Sequence, residues 1–382
     1  MLSRDFLYDS KKILFGDGLV NSKGETWVKQ RRLMQPLFNK EAVAVWADFI
    51  VEEATKSVEE LKKSSHPNVN MTTVIKTLTQ SIFIRFLFGN SVNTIKKTEK
   101  IIRTLDLISK GIGPHFVSET IGQGSLKFLF LKQIWDFRKG VKQLTFFVKQ
   151  QIDGKFERQG NDLISFLIQA TDKNSGYAMT KDLLKDESIN LFFAGQETTN
   201  NTLSWFFYLL GKHKNLHQKV TKEIENHRED QLTLDNLAKL RHTKAALNET
   251  LRLYPPSAGL ATQVIGDVVI GGHIIDKGTT IILSMFATHR DETLWQSPND
   301  FYPGHFEEKP VTGRHKYSFY PFGGGLHNCI GRHFVEMEMM IIIVVMLREF
   351  SIQSQASVKL SPGVTLKPDR DVMVTMTPNA NK

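Results

Sequence analysis

The stretch Phe322-Gly323-Gly324-Gly325-Leu326-His327-Asn328-Cys329-Ile330-Gly331 leads into a long apolar segment, and Cys329 within it is the only cysteine of the 382-residue chain. The glycines ahead of the thiol permit a tight loop, bare of side chains, that can lie against something flat, and Gly331 keeps the near side of the next turn clear. From Arg332 to Phe350 the apolar residues recur with helical period. The sulfur therefore sits beside the unpaired N–H groups at the positive end of a helix, which favours thiolate over thiol. Such a placement suits an axial thiolate on haem iron.

Other readings of the same residues are plainer. A lone cysteine in a chain of this size is commonly a small buried hydrophobe. His327, Cys329 and His333 could suggest zinc, but there is no second cysteine and no paired ligand spacing elsewhere. The glycines make no phosphate loop either, because no Lys-Ser or Lys-Thr follows them.

An apolar content of 41% is enough for a sizeable core, and the length suits one large domain or two ordinary ones. A net charge of +9 and a pI near 9.3 point to an acidic partner or an anionic membrane surface. Nucleic acid is disfavoured, since the basic residues are scattered through helical segments and no recognised nucleic-acid module appears. A single cysteine rules out an internal disulfide and fits a reducing compartment, so the expected location is the cytoplasm, peripheral at most to a membrane. The longest apolar run, Met339 to Leu347, is too short to span a bilayer.

Helical periodicity dominates from about Glu25 to Tyr254, with breaks expected at Pro36, His66-Pro67, Gly111 to Gly124, Asp172 to Gly176 and Gly211. After Pro255-Pro256 the texture changes to short β-branched runs, Val268 to Ile270 and Thr279 to Leu283, punctuated by Gly271-Gly272 and Lys277-Gly278. Lys359 to Pro378 alternates in a strand-like way around a turn at Pro362-Gly363. The fold class is mainly α with a smaller β part, and no linker separates two independent domains.

Ala194-Gly195-Gln196-Glu197-Thr198-Thr199 puts small and polar residues inside the otherwise apolar Ile189 to Leu210. Buried polar groups need partners, and a threonine hydroxyl can bond a carbonyl one turn earlier, so a kink or groove is expected, unless Thr198 or Thr199 caps a new helix. Glu249 and Arg252 stand at i and i+3, a spacing that usually marks a solvated surface pair. Trp27 and Arg31 share a helix face at i and i+4, as in any amphipathic helix with a core tryptophan.

Together these segments resemble the cytochrome P-450 family. Its haem loop, Phe-Gly-x-Gly-x-(Arg or His)-x-Cys-x-Gly, is matched at every fixed position by Phe322, Gly323, Gly325, His327, Cys329 and Gly331. The resemblance implies haem b, with Cys329 as the iron ligand and His327 as the basic contact to a propionate. It likewise makes Trp27 and Arg31 propionate contacts, and Glu197 and Thr198 the acid and alcohol that deliver protons to oxygen. It turns Glu249 and Arg252 into a buried pair whose third partner, in Pro303-Gly304-His305-Phe306, is His305. A histidine there can titrate near neutral pH where an arginine would not.

The implied activity is that of a haem-thiolate monooxygenase, inserting one atom of dioxygen into an apolar small-molecule substrate with electrons from an acidic ferredoxin or flavoprotein reductase. Lys29, Arg32, Arg314, Lys316 and Arg332 are the residues expected to meet that donor, and Phe192, Phe193, Ala194 and the turn from Ser257 to Leu260 are expected to wall the pocket. The rivals are a peroxide-using or isomerising haem-thiolate enzyme and a truncated, inactive haem-binding remnant. Two departures stand out. Ala261-Thr262-Gln263 occupies the place of a propionate-binding arginine, and only Met1 to Lys23 precede the Trp27 helix. The expectation is thus a single domain over 1–382 with the family fold lacking part of its N-terminal sheet and helices, and with a strand edge and part of the apolar pocket exposed.

Overall fold

The computed structural model describes residues 2–3, 8–64, 66–92, 95–120, 125–157, 160–173, 175–307 and 314–379. The first helices are α1 (Tyr8–Phe15), α2 (Gly24–Met34), α3 (Lys40–Ala44), α4 (Ala47–Lys63) and α5 (Met71–Phe88), followed by the paired α6 (Ile95–Thr120) and α7 (Leu131–Glu157). Then come α8 (Leu163–Gln169), the long α9 (Lys181–Lys212), α10 (Lys214–Asn226), α11 (Leu234–Lys239) and α12 (Arg241–Leu253). Short α13 (Met285–Thr288) and α14 (Gly304–Glu307) precede α15 (Arg332–Glu349).

The strands are short and antiparallel. β1 (Leu2–Ser3) pairs with β3 (Gly259–Val264), which neighbours β6 (Thr280–Ser284), while β4 (Val268–Ile270) and β5 (His273–Ile275) form a hairpin. β2 (Asn68–Asn70) and β7 (Phe350–Ser354) flank β10 (Met373–Pro378), and β8 (Leu360–Ser361) pairs with β9 (Lys367–Pro368). The β-branched runs after Pro255-Pro256 thus form strands, β4 over Val268–Ile270 and β6 over Thr280–Ser284. Val269 and Ile274 on the hairpin and Ile282 on β6 are exposed, so these strands carry apolar side chains into solvent.

The chain divides into two compact units. The first comprises Met1–Leu37, Phe83–Ala194 and Ala261–Ile282. Its centre is the antiparallel α6 and α7 pair, with the side chains of Ile108, Ile134, Phe137 and Leu144 buried. Here the sequence reading needs correction. α6 runs through Gly111 and Pro114 without a break, as far as Thr120, and 121–124 lie outside the described residues. Gly111 is there for closeness: a Cβ on it would stand 2.4 Å from the Gln133 carbonyl oxygen and 2.5 Å from Phe137 Cβ. Gly140 does the same from α7, where a Cβ would meet Ile108 at 2.7 Å.

The second unit comprises Phe38–Ile82, Gly195–Leu260 and Leu283–Lys382. α15 is its axis. From Met337 to Leu347 every residue of that helix is buried, and α3, α4, α10 and α11 pack around it. A helix apolar all round must be enclosed on all sides. α4 meets it with a single stripe, Ala47, Ile50, Ala54 and Val58, so its polar residues face outward. Among the described residues no helix is long and apolar enough to cross a membrane.

Candidate active site

The thiol loop is built on a scaffold of buried charge. On α12, Arg252 donates from Nε to Glu249 Oε2 at 2.8 Å and from a terminal nitrogen to Oε1 at 2.7 Å. Its other hydrogens go to the carbonyls of His289 and Pro298, both at 2.6 Å, and of Asp300 at 2.9 Å. The Tyr302 amide also donates to Glu249, at 2.9 Å. His305 places Nδ1 3.1 Å from Glu249 Oε1 and Nε2 2.7 Å from the Gln296 carbonyl. His305 thereby bridges the Glu249 carboxylate and the Gln296 carbonyl. Glu249, Arg252 and His305 thus form the buried triad that their spacing alone would not have shown. Burial alone would raise the Glu249 carboxyl, but the bonds and charge of Arg252, with His305 and the Tyr302 amide, bring it below the usual carboxylate range.

His289 carries this scaffold to the loop. Its Nε2 accepts the Tyr320 amide at 3.0 Å, so the ring is neutral with its proton on Nδ1. Burial first, then the nearby Arg252 and Arg290 charges, push this imidazole down to about 4. The Gly323 amide bonds the Tyr320 carbonyl at 2.9 Å, and the Cys329 amide closes the loop on the Phe322 carbonyl at 2.8 Å. Gly323 and Gly325 take φ of +75° and +66°, conformations open to glycine. Gly331 is the residue that opens α15, with no side chain capping the helix. Cys329 is exposed, and Leu326, 81% exposed, projects from the same loop.

A second group lies on α9, which passes through Ala194 to Thr199 as continuous helix; no cap interrupts it. Thr199 Oγ1 bonds the Gly195 carbonyl at 2.7 Å and Thr198 Oγ1 reaches the same oxygen at 3.4 Å, the backward bonding that the sequence suggested. Glu197 has a partner that no local pattern revealed. Thr365 Oγ1 donates to Glu197 Oε1 at 2.7 Å and accepts from Asn201 Nδ2 at 3.1 Å. Thr365 lies 168 positions downstream, between β8 and β9. Phe192 and Phe193 are buried, Phe193 against Phe15 with ring centres 6.2 Å apart, and Ala194 is the exposed member of that trio.

Trp27 and Arg31 occupy one face of α2, Trp27 buried and Arg31 half-buried. They belong to the first unit, whereas Phe322, Gly323, His327, Cys329, Gly331, Glu197 and Thr198 belong to the second. Of the basic residues expected to meet a donor, Arg314 is otherwise engaged. It stacks 4.3 Å from the Trp295 ring and donates to the His305 carbonyl at 2.6 Å, so it serves the triad. Lys29 pairs with Glu25 at 2.8 Å, Arg32 with Asp172 at 3.8 Å and Arg332 with Glu336 at 3.0 Å.

These residues fit a flat, iron-bearing cofactor. The loop offers one exposed thiol at the start of a helix, a backbone bare of side chains at 323–325, and an apolar side chain beside them. Comparison with known proteins agrees. A sequence model described as Cytochrome P450 matches residues 2–378. A cytokinin hydroxylase of Arabidopsis thaliana is 31% identical over 384 residues, covering 96% of this chain and 73% of that protein. Cytochrome P450 4V2 of Rattus norvegicus is 26% identical over 409 residues, covering 98% and 76%. In fold, the crystal structure of the cytochrome P450DA heme domain superposes with a TM-score of 0.88 at 22% identity, over 99% of this chain and 84% of that one. The chain therefore belongs to the cytochrome P450 family, as a haem-thiolate monooxygenase whose haem b is held through a cysteine thiolate.

Proposed function

We propose that the protein inserts one atom of dioxygen into an apolar small-molecule substrate, with Cys329 as the iron ligand and a separate redox protein as electron donor. The observation that carries this is the single thiol of the chain, exposed at the head of α15 on a loop whose turns require glycine. When bound, the haem supplies oxygen binding and activation. His327, Trp27 and Arg31 would hold its propionates, and Phe322, Gly323 and Gly331 would border it. Glu197 and Thr198 manage protons. Thr365 and Asn201 fix Glu197 through its Oε1, which leaves Oε2 as the atom that passes a proton on. Residues 1–382 act as one domain in this reading, supported by a single family match running from 2 to 378.

The donor is acidic and docks on a groove of about 290 Å³ in the second unit, where Lys40, Lys244, Arg332 and His333 outnumber the one acid, Glu336, among apolar residues such as Leu237 and Met340. Steering by such charges weakens with salt. We infer as well that the protein rests peripherally on an anionic membrane. Phe128, Leu129, Leu131 and Trp135 are 67, 57, 66 and 61% exposed, and the exposed cations Lys132, Arg138 and Lys139 stand among them on α7. Apolar rings with basic flanks are the composition of an interfacial helix. Co-sedimentation with phosphatidylserine vesicles, but not with phosphatidylcholine alone, is the expected result, and Trp135→Ser should weaken it.

The central experiment is the Cys329→Ser variant. The wild-type reduced carbon monoxide complex should show a thiolate-type spectrum that the variant lacks. A variant that keeps this spectrum would refute the assignment. Turnover with the electron donor that exceeds turnover with peroxide separates the monooxygenase from the peroxide-using reading.

A further inference from the structure

Between α1 and α2 the chain crosses α9 with its amides taken by side chains. The Asp17 amide donates to Asp186 Oδ2 at 3.1 Å, that of Leu19 to Glu187 Oε2 at 3.0 Å, and that of Val20 to Asn190 Oδ1 at 3.0 Å. Asn190 Nδ2 returns a bond to the Phe15 carbonyl at 2.7 Å. Contact is close enough to demand glycine. A Cβ on Gly16, which takes φ of +52°, would stand 2.2 Å from Asp186 Cγ, and one on Gly18 would stand 2.3 Å from Asn190 Nδ2.

The same segment governs α2. Gln30, fully buried on that helix, donates from Nε2 to the Asp17 carbonyl at 2.7 Å. Its neighbours on α2 are Trp27 and Arg31. A continuous set of bonds therefore runs from α9 through 16–20 to the helix that carries the two propionate contacts. Long-range contacts of this kind set the placement of a helix where no sheet or crossover does so.

The central acid of the set is Glu187. It is fully buried, and its Oε1 has no hydrogen-bond partner among the described residues. The groups facing it are Asp186 on its own helix, Tyr177 from the segment before α9, and the Leu19 amide from the crossing segment. Among the described cations nearby, Lys185 pairs with Asp186 at 2.8 Å and Lys12 with Asp17 at 3.6 Å, and Lys23 lines the same cleft as Asp17 and Asp186. Burial pushes the Glu187 carboxyl up to about 8, with the Asp186 charge adding to the rise and the Leu19 amide opposing it. A neutral carboxyl can accept the Leu19 N–H through its carbonyl oxygen at little cost. An ionised one would be a buried charge facing the Asp186 carboxylate.

We propose that Asp186, Glu187 and Asn190 form a proton-sensitive latch, closed while Glu187 is neutral, that positions α2 and with it Trp27 and Arg31 for haem binding. The latch stands on its own hydrogen bonds; its role toward haem rests on the haem-thiolate reading. Ionisation of Glu187 releases 16–20 from α9, loosens the Gln30 anchor and weakens the hold on the cofactor. Hydrogen exchange of the peptide spanning 13–23, measured on the purified holoprotein and corrected for intrinsic rate, reads the latch directly. Wild type should lose about tenfold of its protection at Leu19 and Val20 between about pH 7 and about pH 9, and Glu187→Gln should keep it at both. Equal protection at the two pH values in wild type, or an equal loss in Glu187→Gln, would overturn the latch. Haem transfer to an excess of apomyoglobin reads the positioning. It should quicken severalfold over the same pH range in wild type, stay flat in Glu187→Gln, and be fast throughout in Asn190→Ala. Haem loss that stays flat while wild-type protection falls would remove the positioning role and leave a structural clasp. The carbon monoxide spectrum of Cys329→Ser tests the haem-thiolate reading separately, since the exchange result does not depend on it.

Discussion

Glu249 and Glu338 are the same residue, both fully buried and both on helices of the second unit, yet their chemistry is opposite. Glu249 receives two bonds from Arg252, one from the Tyr302 amide and one from His305, and these outweigh burial to keep it ionised. Glu338, on α15, has no hydrogen-bond partner for either oxygen among the described residues, and burial raises it well above the usual range. Depth sets the size of the desolvation cost. Partners decide whether the carboxyl stays charged in spite of it.

Removing the partners should erase the difference, and this is the largest effect expected. Arg252→Ala would strand a buried carboxylate at a cost of about 3–5 kcal/mol, and it would also release the carbonyls of His289, Pro298 and Asp300. Little folded holoprotein should be recovered. A variant that melts within a few degrees of wild type would show that the triad does not hold this unit together. The wild-type protein should be sensitive to acid for the same reason. The folded carboxyl of Glu249 and the folded imidazole of His289 both lie below their unfolded values of 4.5 and 6.5. Their contribution is therefore complete above those values and is lost as pH falls through the folded ones. Urea midpoints should drop steadily on acidification from neutrality, and His289→Gln should flatten the upper part of that slope.

The comparison also shows what a sequence can disclose. The Cys329 loop was legible because its residues are neighbours within ten positions, whereas the Glu249 pair and the α9 motif, ambiguous by spacing alone, became legible only through the resemblance of the whole set to one family. β4 was legible because its β-branched run and the Gly271-Gly272 turn after it are local too, but its hairpin partner β5 was not singled out. Gly111 misled, because a glycine that permits a helix crossing is written with the same letter as one that ends a helix. Glu338 stands two residues from the half-buried Glu336, and nothing in Glu336-Met337-Glu338 tells which acid faces inward. Thr365 and the 16–20 latch act over more than 160 positions, a pairing that only the fold creates. Gly111→Ala tests the crossing. Its methyl group would overlap Gln133 and Phe137, and the expected loss is about 1–3 kcal/mol in urea unfolding. A neutral or stabilising result would restore the reading of Gly111 as a helix breaker kept for its flexibility.

Glu338 offers the converse of Arg252→Ala, a carboxyl whose charge is better absent. Its folded value is raised, so the neutral form belongs to the fold, and the stability it contributes is full below the unfolded value of 4.5 and declines as pH rises above it. Glu338→Gln retains the shape and removes the ionisation. It should match wild type at acidic pH and exceed it by about 1 kcal/mol or more on the alkaline side, within the range of buried polar substitutions. Equal pH slopes for the two proteins would mean that Glu338 has a partner or pays no cost for its burial.

The smallest expected effect on stability, and the most specific on chemistry, is at Glu197. Unlike Glu249 it is half-buried, and a single neutral hydroxyl, from Thr365, orients it at 2.7 Å. Thr365→Val keeps the volume and removes the donor, at a cost of about 0.5–1.5 kcal/mol. If Glu197 manages protons, freeing its carboxylate should lower product formed per electron pair consumed and raise hydrogen peroxide by the same measure, while haem content and substrate affinity hold. Thr198→Ala should do so more strongly, because it removes the alcohol itself rather than the group that positions the acid. Thr365→Ser restores a hydroxyl at the same place and should recover most of the coupling. A Thr365→Val enzyme fully coupled to product would place Glu197 outside the proton path. Greater uncoupling in Thr199→Ala than in Thr198→Ala would move the alcohol's role to the buried hydroxyl that already bonds Gly195 at 2.7 Å.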